Sequence, residues 1–192
     1  ERMGLKIEYK VLSRSTFALA GFTCRVIARD DMEVIREWRN AQMEVLRQNG
    51  QITKEGQEAY FDQTLVKDFS SPEPASILFS FWNDGVIFGY GGLVHINWAN
   101  RSAEVSFLID KELTGGPVFE TTFLEFVEFL AGLGRDQLGL EALTAEVFNI
   151  EQRKRVLGLL GKASFVTLKT IKAGYQKEDS FVDVIQLRRA LK

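Results

Sequence analysis

Residues 75–109 read ASILFSFWNDGVIFGYGGLVHINWANRSAEVSFLI. Ala75 to Trp82 is an apolar and aromatic run of strand length. Asn83-Asp84-Gly85 then supplies residues that tolerate the positive φ angles of a tight hairpin. Val86 to Asn97 continues as a second strand, and Asn97 to Arg101 forms the turn into a third, Ser102 to Ile109. Three strands joined by short turns predict an antiparallel meander. Beyond it Pro117 suits the first turn of a helix, and Val118, Phe119, Phe123, Phe126, Val127 and Leu130 recur at helical spacing, with Gly132 and Gly134 expected to end it.

Working outward, Leu143 to Phe148 reads as a strand, Glu151 to Gly161 as a helix, and Ser164 to Ile171 and Ser180 to Leu187 as closing strands. On the other side, Lys6 to Ser13 and Phe22 to Ala28 read as strands with Gly21 as a turn signal between them. Asp30 or Asp31 can cap a helix in which Met32, Ile35, Trp38 and Met43 share a face, opposite Arg36, Arg39 and Asn40. Thr53 opens a second helix, with Gln57 near the reciprocal capping position and Tyr60, Phe61 and Leu65 as its buried stripe.

Composition sets the class. The 192 residues suit one core, with 45% apolar and 26% charged residues. With 24 basic and 26 acidic side chains the net charge is -2, so no global field draws the protein to nucleic acid or an anionic membrane. Arginines gather locally at Arg36, Arg39 and Arg47 and again across Arg153, Lys154 and Arg155, either as solvated helix faces or as partners for a phosphate-bearing ligand. Cys24 is the only cysteine, which excludes an intramolecular disulfide and a cysteine zinc cage, and His95 is the only histidine, which excludes a multi-histidine metal site and argues against an ordinary Ser-His-Asp scheme. A lone cysteine fits a reducing compartment. No leader pattern opens the chain, and no apolar run reaches the roughly 18 to 20 residues of a membrane span, so a cytoplasmic protein is expected.

The order strand, two helices, three strands, helix, strand, helix and two strands resembles the GNAT acyltransferase superfamily, and the match covers nearly all of the chain from Phe22. The resemblance implies an α/β (α+β) fold in a single domain over 1–192, with 1–21 as an extra N-terminal strand and turn. Its central sheet would be mostly antiparallel, splayed, and flanked by helices. It also implies acetyl-CoA or another short acyl-CoA as cosubstrate, with no metal. The stretches EWRNAQ at Glu37 to Gln42 and QITKEGQEAYF at Gln51 to Phe61 look like the acceptor-side helices of branches that acetylate amino-sugar nucleotides.

Individual residues follow from the same resemblance. AEVSFLI at Ala103 to Ile109 is similar to the central strand of the histone-acetylating branch, which places the general base at Glu104. Chemistry supports this independently, because an amine arrives protonated and a carboxylate in a partly apolar cleft can accept its proton directly or through water. The alternative is a strand glutamate that faces solvent or pairs with an arginine. His95, with an unperturbed pKa near physiological pH, is a second candidate base, or a packed or surface histidine. The resemblance assigns pantetheine to the backbone of Phe107, Leu108 and Ile109, and pyrophosphate to Thr114, Gly115 and Gly116.

That loop reads KELTGGPVF, with Glu112 where the family carries glutamine or arginine and Pro117 in the last glycine position. The glycines still allow close backbone approach to phosphate, whereas Pro117 lacks an N–H and Glu112 repels an anion. Asn149 matches the asparagine near the start of the next helix. No tyrosine occurs between Ala142 and Phe165, so Tyr175 or a water would replace the usual acid. Arg39, Asn40 and Gln48 would face the acceptor, joined by Trp98, which lies at a turn where a ring can stack on a ligand.

Other motifs fail. Gly89, Gly91 and Gly92 lack the third glycine of a dinucleotide fingerprint and mark a bulge or a close approach within a strand. Gly161-Lys162 lacks both the leading glycine and the hydroxyl residue of a P-loop. The function the resemblance implies is acyl transfer, from acetyl-CoA to a primary amine such as a nucleotide-linked amino sugar, directly within a ternary complex, by a monomer or homodimer with no nucleic acid or membrane partner. The alternatives are acetylation of protein N-termini or other small amines, and a non-catalytic ligand-binding protein of the same fold.

Overall fold

The computed structural model describes residues 8–192. In chain order the elements are β1 (Thr16–Ala18), β2 (Thr23–Val26), α1 (Met32–Ala41), α2 (Lys54–Tyr60), α3 (Val66–Ser70), β3 (Ile77–Asn83), β4 (Val86–Asn97), β5 (Ser102–Ile109), α4 (Pro117–Leu138), β6 (Ala142–Phe148), α5 (Lys154–Lys162), β7 (Val166–Lys177) and β8 (Ser180–Ala190). The strands form one sheet in the order β1-β2-β3-β4-β5-β6-β8-β7, antiparallel throughout except for the β5–β6 pair. This is the single α/β domain with a mostly antiparallel open sheet that the sequence implied. Among the described residues no helix is long and apolar enough to cross a membrane.

Each face of the sheet buries its own cluster. Alternation along β5 sends Ala103 and Ile109 to the face covered by α4 and α5, with Phe123, Phe126, Leu159 and Leu160. It sends Leu108 to the face covered by α1 and α2, with Ile35, Trp38 and Phe61. Edge-on aromatic contacts lock the first cluster, as between Phe81 and Phe126 at 4.5 Å and between Phe107 and Phe123 at 5.1 Å. Cys24 is fully buried there, and burial pushes its thiol pKa up, which makes it an inert packing residue.

The glycines of β4 serve close packing of strands. A Cβ on Gly91 would lie 2.3 Å from the Ser106 carbonyl oxygen, and one on Gly92 would lie 1.9 Å from that of Ile77.

Several expectations need correction. Of the strand expected over Lys6 to Ser13, Lys6 and Ile7 lie outside the described residues, and the remainder is irregular, with a turn at Lys10 and Val11. Buried Tyr9 accepts the Leu78 amide proton on its hydroxyl at 3.0 Å, and Leu12 N–H closes back on the Tyr9 carbonyl. The first described strand is β1, beyond that segment. Helix α4 passes through Gly132 and Gly134 and ends at Gly139, whose φ of 65° is the left-handed cap that a glycine accepts without strain. Thr53 does cap α2, accepting from the Gly56 amide at 3.0 Å. Gln57, however, is buried and donates to the Met32 carbonyl, tying α2 to α1. A π-helical segment, Phe61–Leu65, joins α2 to α3.

Candidate functional site

The parallel pair β5–β6 is joined at only three positions, Ser102 with Ala142, Ala103 with Leu143 and Glu104 with Thr144. Beyond Glu104 the strands part. β6 continues on β8 while β5 stays with β4, so the facing edge of β5 has no strand partner. The gap opens on both faces of the sheet. Toward α1 it holds a cavity of about 110 Å3 lined by Leu46, Arg47, Glu104, Ser106, Phe148 and others. Toward α4 it narrows to about 50 Å3 between Phe119, Phe123, Val156 and Leu160. Val105, Phe107, Glu146 and Arg153 line both sides. A narrow slot with an unpaired strand edge suits an extended, amide-bearing arm, which can pair with backbone groups as an added strand would.

Glu104 stands at the vertex of this fork. It is 8% exposed, with Arg47 on Oε1 and the His95 ring Nδ1 at 2.6 Å from Oε2. Arg47 also reaches Glu146 at 2.9 Å, so one guanidinium spans both arms of the fork, and Gln186 donates to the other Glu146 oxygen at 2.7 Å. His95 arrives there because β4 slips register against β5 between Val94 and Asn97, and His95 takes φ 46° in that bulge. Its side chain is 70% exposed. The two candidate bases of the sequence are thus one hydrogen-bonded pair, with one member in the cavity and the other in solvent.

At the wide end of the fork, residues 110–117 enter α4. The Asp110 carboxylate accepts from the Glu112 amide and the Thr114 hydroxyl donates to the Lys111 carbonyl, which fixes a tight turn. Nothing lies within 4 Å of a Cβ built on Gly115 or Gly116, so the backbone there is open to a ligand. Arg155, from α5, donates to the Thr114 carbonyl at 2.8 Å and the Gly116 carbonyl at 3.0 Å, with its guanidinium 5.1 Å from the centre of the Phe119 ring. The loop that carries Glu112 in place of a cation therefore has an arginine docked on it from elsewhere in the chain. The run Arg153-Lys154-Arg155 was the only signal for this.

A second cavity, of about 380 Å3, lies on the α1–α2 face and shares Val94 and Ser106 with the fork. Its walls are Ile27, Met32, Ile35, Ile52 and Leu78, and its polar lining is Arg39, Gln57, Tyr60, Tyr90 and Ser106. Arg39 lies on the Met32 and Ile35 side of α1, not opposite it as expected from the sequence, because it follows Ile35 by one helical turn, and it donates to the Tyr90 hydroxyl at 2.8 Å. Desolvation raises the Tyr60 pKa, so the phenol remains a donor at neutral pH.

The other sequence candidates fall in different places. Phe107 lines both sides of the fork, but the Leu108 side chain is buried against the α1–α2 cluster, and the Ile109 carbonyl accepts from Gln42 Nε2 at 2.9 Å. Asn40 and Gln48 do not line this second cavity. Asn40 bonds Ile52 and Gln48, and Gln48 also bonds Gly50, so together they knit the loop after α1. Trp98 packs on the α4 face, with its indole N–H donated to the Pro74 carbonyl at 2.9 Å, on the opposite side of the sheet from that cavity. Asn149 is exposed and lines neither part of the fork, where Arg153 stands instead. Tyr175 lies behind Phe148, with ring centres 5.3 Å apart, and does not line the fork.

Comparison with known proteins agrees with this geometry. No curated protein matches the sequence. The fold is similar to spermidine N-acetyltransferase from Vibrio cholerae solved with CoA and spermine, with a TM-score of 0.76 and 17% identity over 90% of this chain and 96% of that one. It is also similar to a dodecameric structure of spermidine N-acetyltransferase from Vibrio cholerae, with a TM-score of 0.73 and 16% identity over 90% and 95% of the two chains. At such identities the likeness is one of fold. The model of the acetyltransferase (GNAT) domain matches residues 24–184. The forked sheet, the open loop before α4 and this match over most of the chain lead to one conclusion: the chain belongs to the GNAT acetyltransferase family, as an N-acetyltransferase that uses acetyl-CoA.

Proposed function

We propose that this chain acetylates a small primary amine whose body carries an anionic or hydrogen-bond-accepting group, with a nucleotide-linked amino sugar as the leading candidate. The observation that carries this reading is the lining of the acceptor cavity. Its polar groups are an arginine, two tyrosines, a glutamine and a serine, and no carboxylate is among them. A polycation entering it would lose hydration and meet Arg39 without gaining an opposite charge, a net cost in a partly desolvated site. The lining thus favours an anionic acceptor over a polyamine.

The reaction needs a base, a held thioester and a path for the proton. Glu104 faces the cavity next to the wall shared with the acceptor site, and takes the amine proton directly or through one water. His95 joins Glu104 to solvent and passes that proton out. The unpaired edge of β5 around Phe107 holds the pantetheine arm. The backbone of Thr114 to Gly116, with Arg155 docked on it, holds the pyrophosphate. Attack is direct within a ternary complex.

A thiol-release assay over a panel of amines tests this reading. The panel contains amino-sugar nucleotides, free amino sugars, N-terminal peptides and spermidine. The highest kcat/KM is expected among the anionic amines. Spermidine as the best substrate would overturn the acceptor assignment.

A further inference from the structure

Four charged side chains line the fork, namely Arg47, Glu104, Glu146 and Arg153. Arg47 is committed to both carboxylates. Arg153 is not committed. Its Nε is buried without a hydrogen-bond partner, and no ion pair or hydrogen bond reaches its guanidinium from the described residues. It stands in the turn that leads into α5 and lines the slot on both faces of the sheet, as Phe107 and Glu146 do. Arg153 is half-buried, so its Nε has given up hydration without gaining a partner, and such a cost is tolerated where function uses the group. The usual acid for the leaving group is missing here: Tyr175 sits behind Phe148, and no tyrosine lines the fork.

We propose that Arg153 is a catalytic residue that stabilises the departing coenzyme A thiolate. The amine nitrogen forms the new C–N bond to the acetyl carbonyl carbon and gives its proton to Glu104, from which it leaves through His95. The C–S bond breaks with its electron pair on sulfur. Arg153 donates an N–H hydrogen bond to that sulfur and keeps its own proton, because a guanidinium is far too weak an acid to surrender one. Arg153 therefore stabilises the leaving group by charge, where a phenol would do so by proton transfer. Burial lowers the Arg153 pKa, in keeping with a cation short of compensation in the free protein. An anionic sulfur supplies that compensation.

The proposal rests on the acetyl-CoA reading of the site, and the test separates the two without any knowledge of the acceptor. Coenzyme A itself is bound to the full-length protein, and its thiol is titrated by ultraviolet thiolate absorbance. In the wild-type complex the thiol pKa is expected about 1 to 3 units below that of free coenzyme A, as for an acid beside an opposite charge. The shift should disappear in Arg153→Met and largely survive in Arg153→Lys. Free Arg153→Met protein should melt higher than wild type, an outcome that a purely structural arginine would not give.

With an accepted amine, Arg153→Met should lower kcat about 100-fold. That loss should shrink when the donor is a thioester of a more acidic thiol. Bound coenzyme A with an unshifted thiol in the wild-type protein overturns the proposal alone and requires no variant to fold. A wild-type protein that binds no coenzyme A overturns the acetyl-CoA reading, and this proposal with it.

Discussion

Glu104 has both carboxylate oxygens engaged before any substrate arrives, and one of its partners is itself a base. Glu104→Gln keeps the shape but removes the proton acceptor, so kcat should fall about 10^2- to 10^4-fold while the KM for acetyl-CoA moves little. Steady-state kinetics check this, and full turnover by the variant would remove Glu104 from the reaction. Glu104 and His95 stood out as candidates in the sequence because each is chemically distinctive at its position in a strand. Their pairing was not, since it depends on a one-residue slip between β4 and β5 that alternation alone does not reveal. Arg153 and Arg155 were visible only as part of a basic run, because the turn before α5 decides which side chain enters the fork and which reaches the loop.

A second residue tests the electrostatics of the α1 entry. Asp31 is buried, accepts from the Ala28 amide at 2.9 Å, and has its pKa raised, chiefly by desolvation and against the pull of its hydrogen bonds. Below the ordinary aspartate range it is neutral whether folded or unfolded, and stability is lost as pH rises through the raised folded value. Asp31→Asn removes that loss, since an amide oxygen can still accept from Ala28. The variant should melt higher than wild type at pH 7 and no higher in acid, as thermal scans at the two pH values would show.

At the scale of elements, the meander was legible from residues 75–109 because hairpin turn chemistry and period-two alternation agree there, and β4 and β5 match the expected bounds residue for residue. Helix ends were less legible. Two glycines inside α4 read as a stop, yet Gly134 packs against Leu140 and Leu191, and the apolar stripe outweighs the local propensity. The segment after Ile7 shows the same rule in reverse, because the single Tyr9 hydroxyl bond to Leu78 and the burial of its ring override strand alternation. The β4 glycines give this scale its prediction. At Gly91 the atom in the way of a Cβ belongs to the backbone of β5, which cannot rotate aside. Gly91→Ala should therefore cost about 1–3 kcal/mol or more, as overpacking of a close strand pair does, and lower Tm by about 2–4 °C per kcal/mol. A variant with wild-type Tm would show that the strands separate without cost.

Across the whole molecule, the fork is held by a link between its most distant parts in sequence. Lys177, at the end of β7, donates to the carbonyls of Met43, Leu46 and Gln48, and its burial lowers its pKa. Three carbonyls around one ammonium fix the loop after α1 against the β7–β8 hairpin, and that loop carries Arg47 to Glu104 and Glu146. The hold of Arg47 on Glu104 thus depends on a lysine 129 to 131 residues from the Leu46 and Gln48 carbonyls it binds, through contacts that no local pattern encodes. Lys177→Met keeps the stem that packs on neighbouring apolar surface and removes the charge-assisted bonds, each worth about 1.5–3 kcal/mol at most. If the lysine served stability alone, the variant would lose Tm and keep kcat in proportion to folded protein. The expected result is different. With the fold intact at 25 °C, kcat should fall because Arg47 no longer holds Glu104 in place, and Lys177→Met combined with Arg47→Met should be no slower than Arg47→Met alone. A double variant whose defects multiply would show that the two residues act independently, and would break the proposed link between the hairpin and the base.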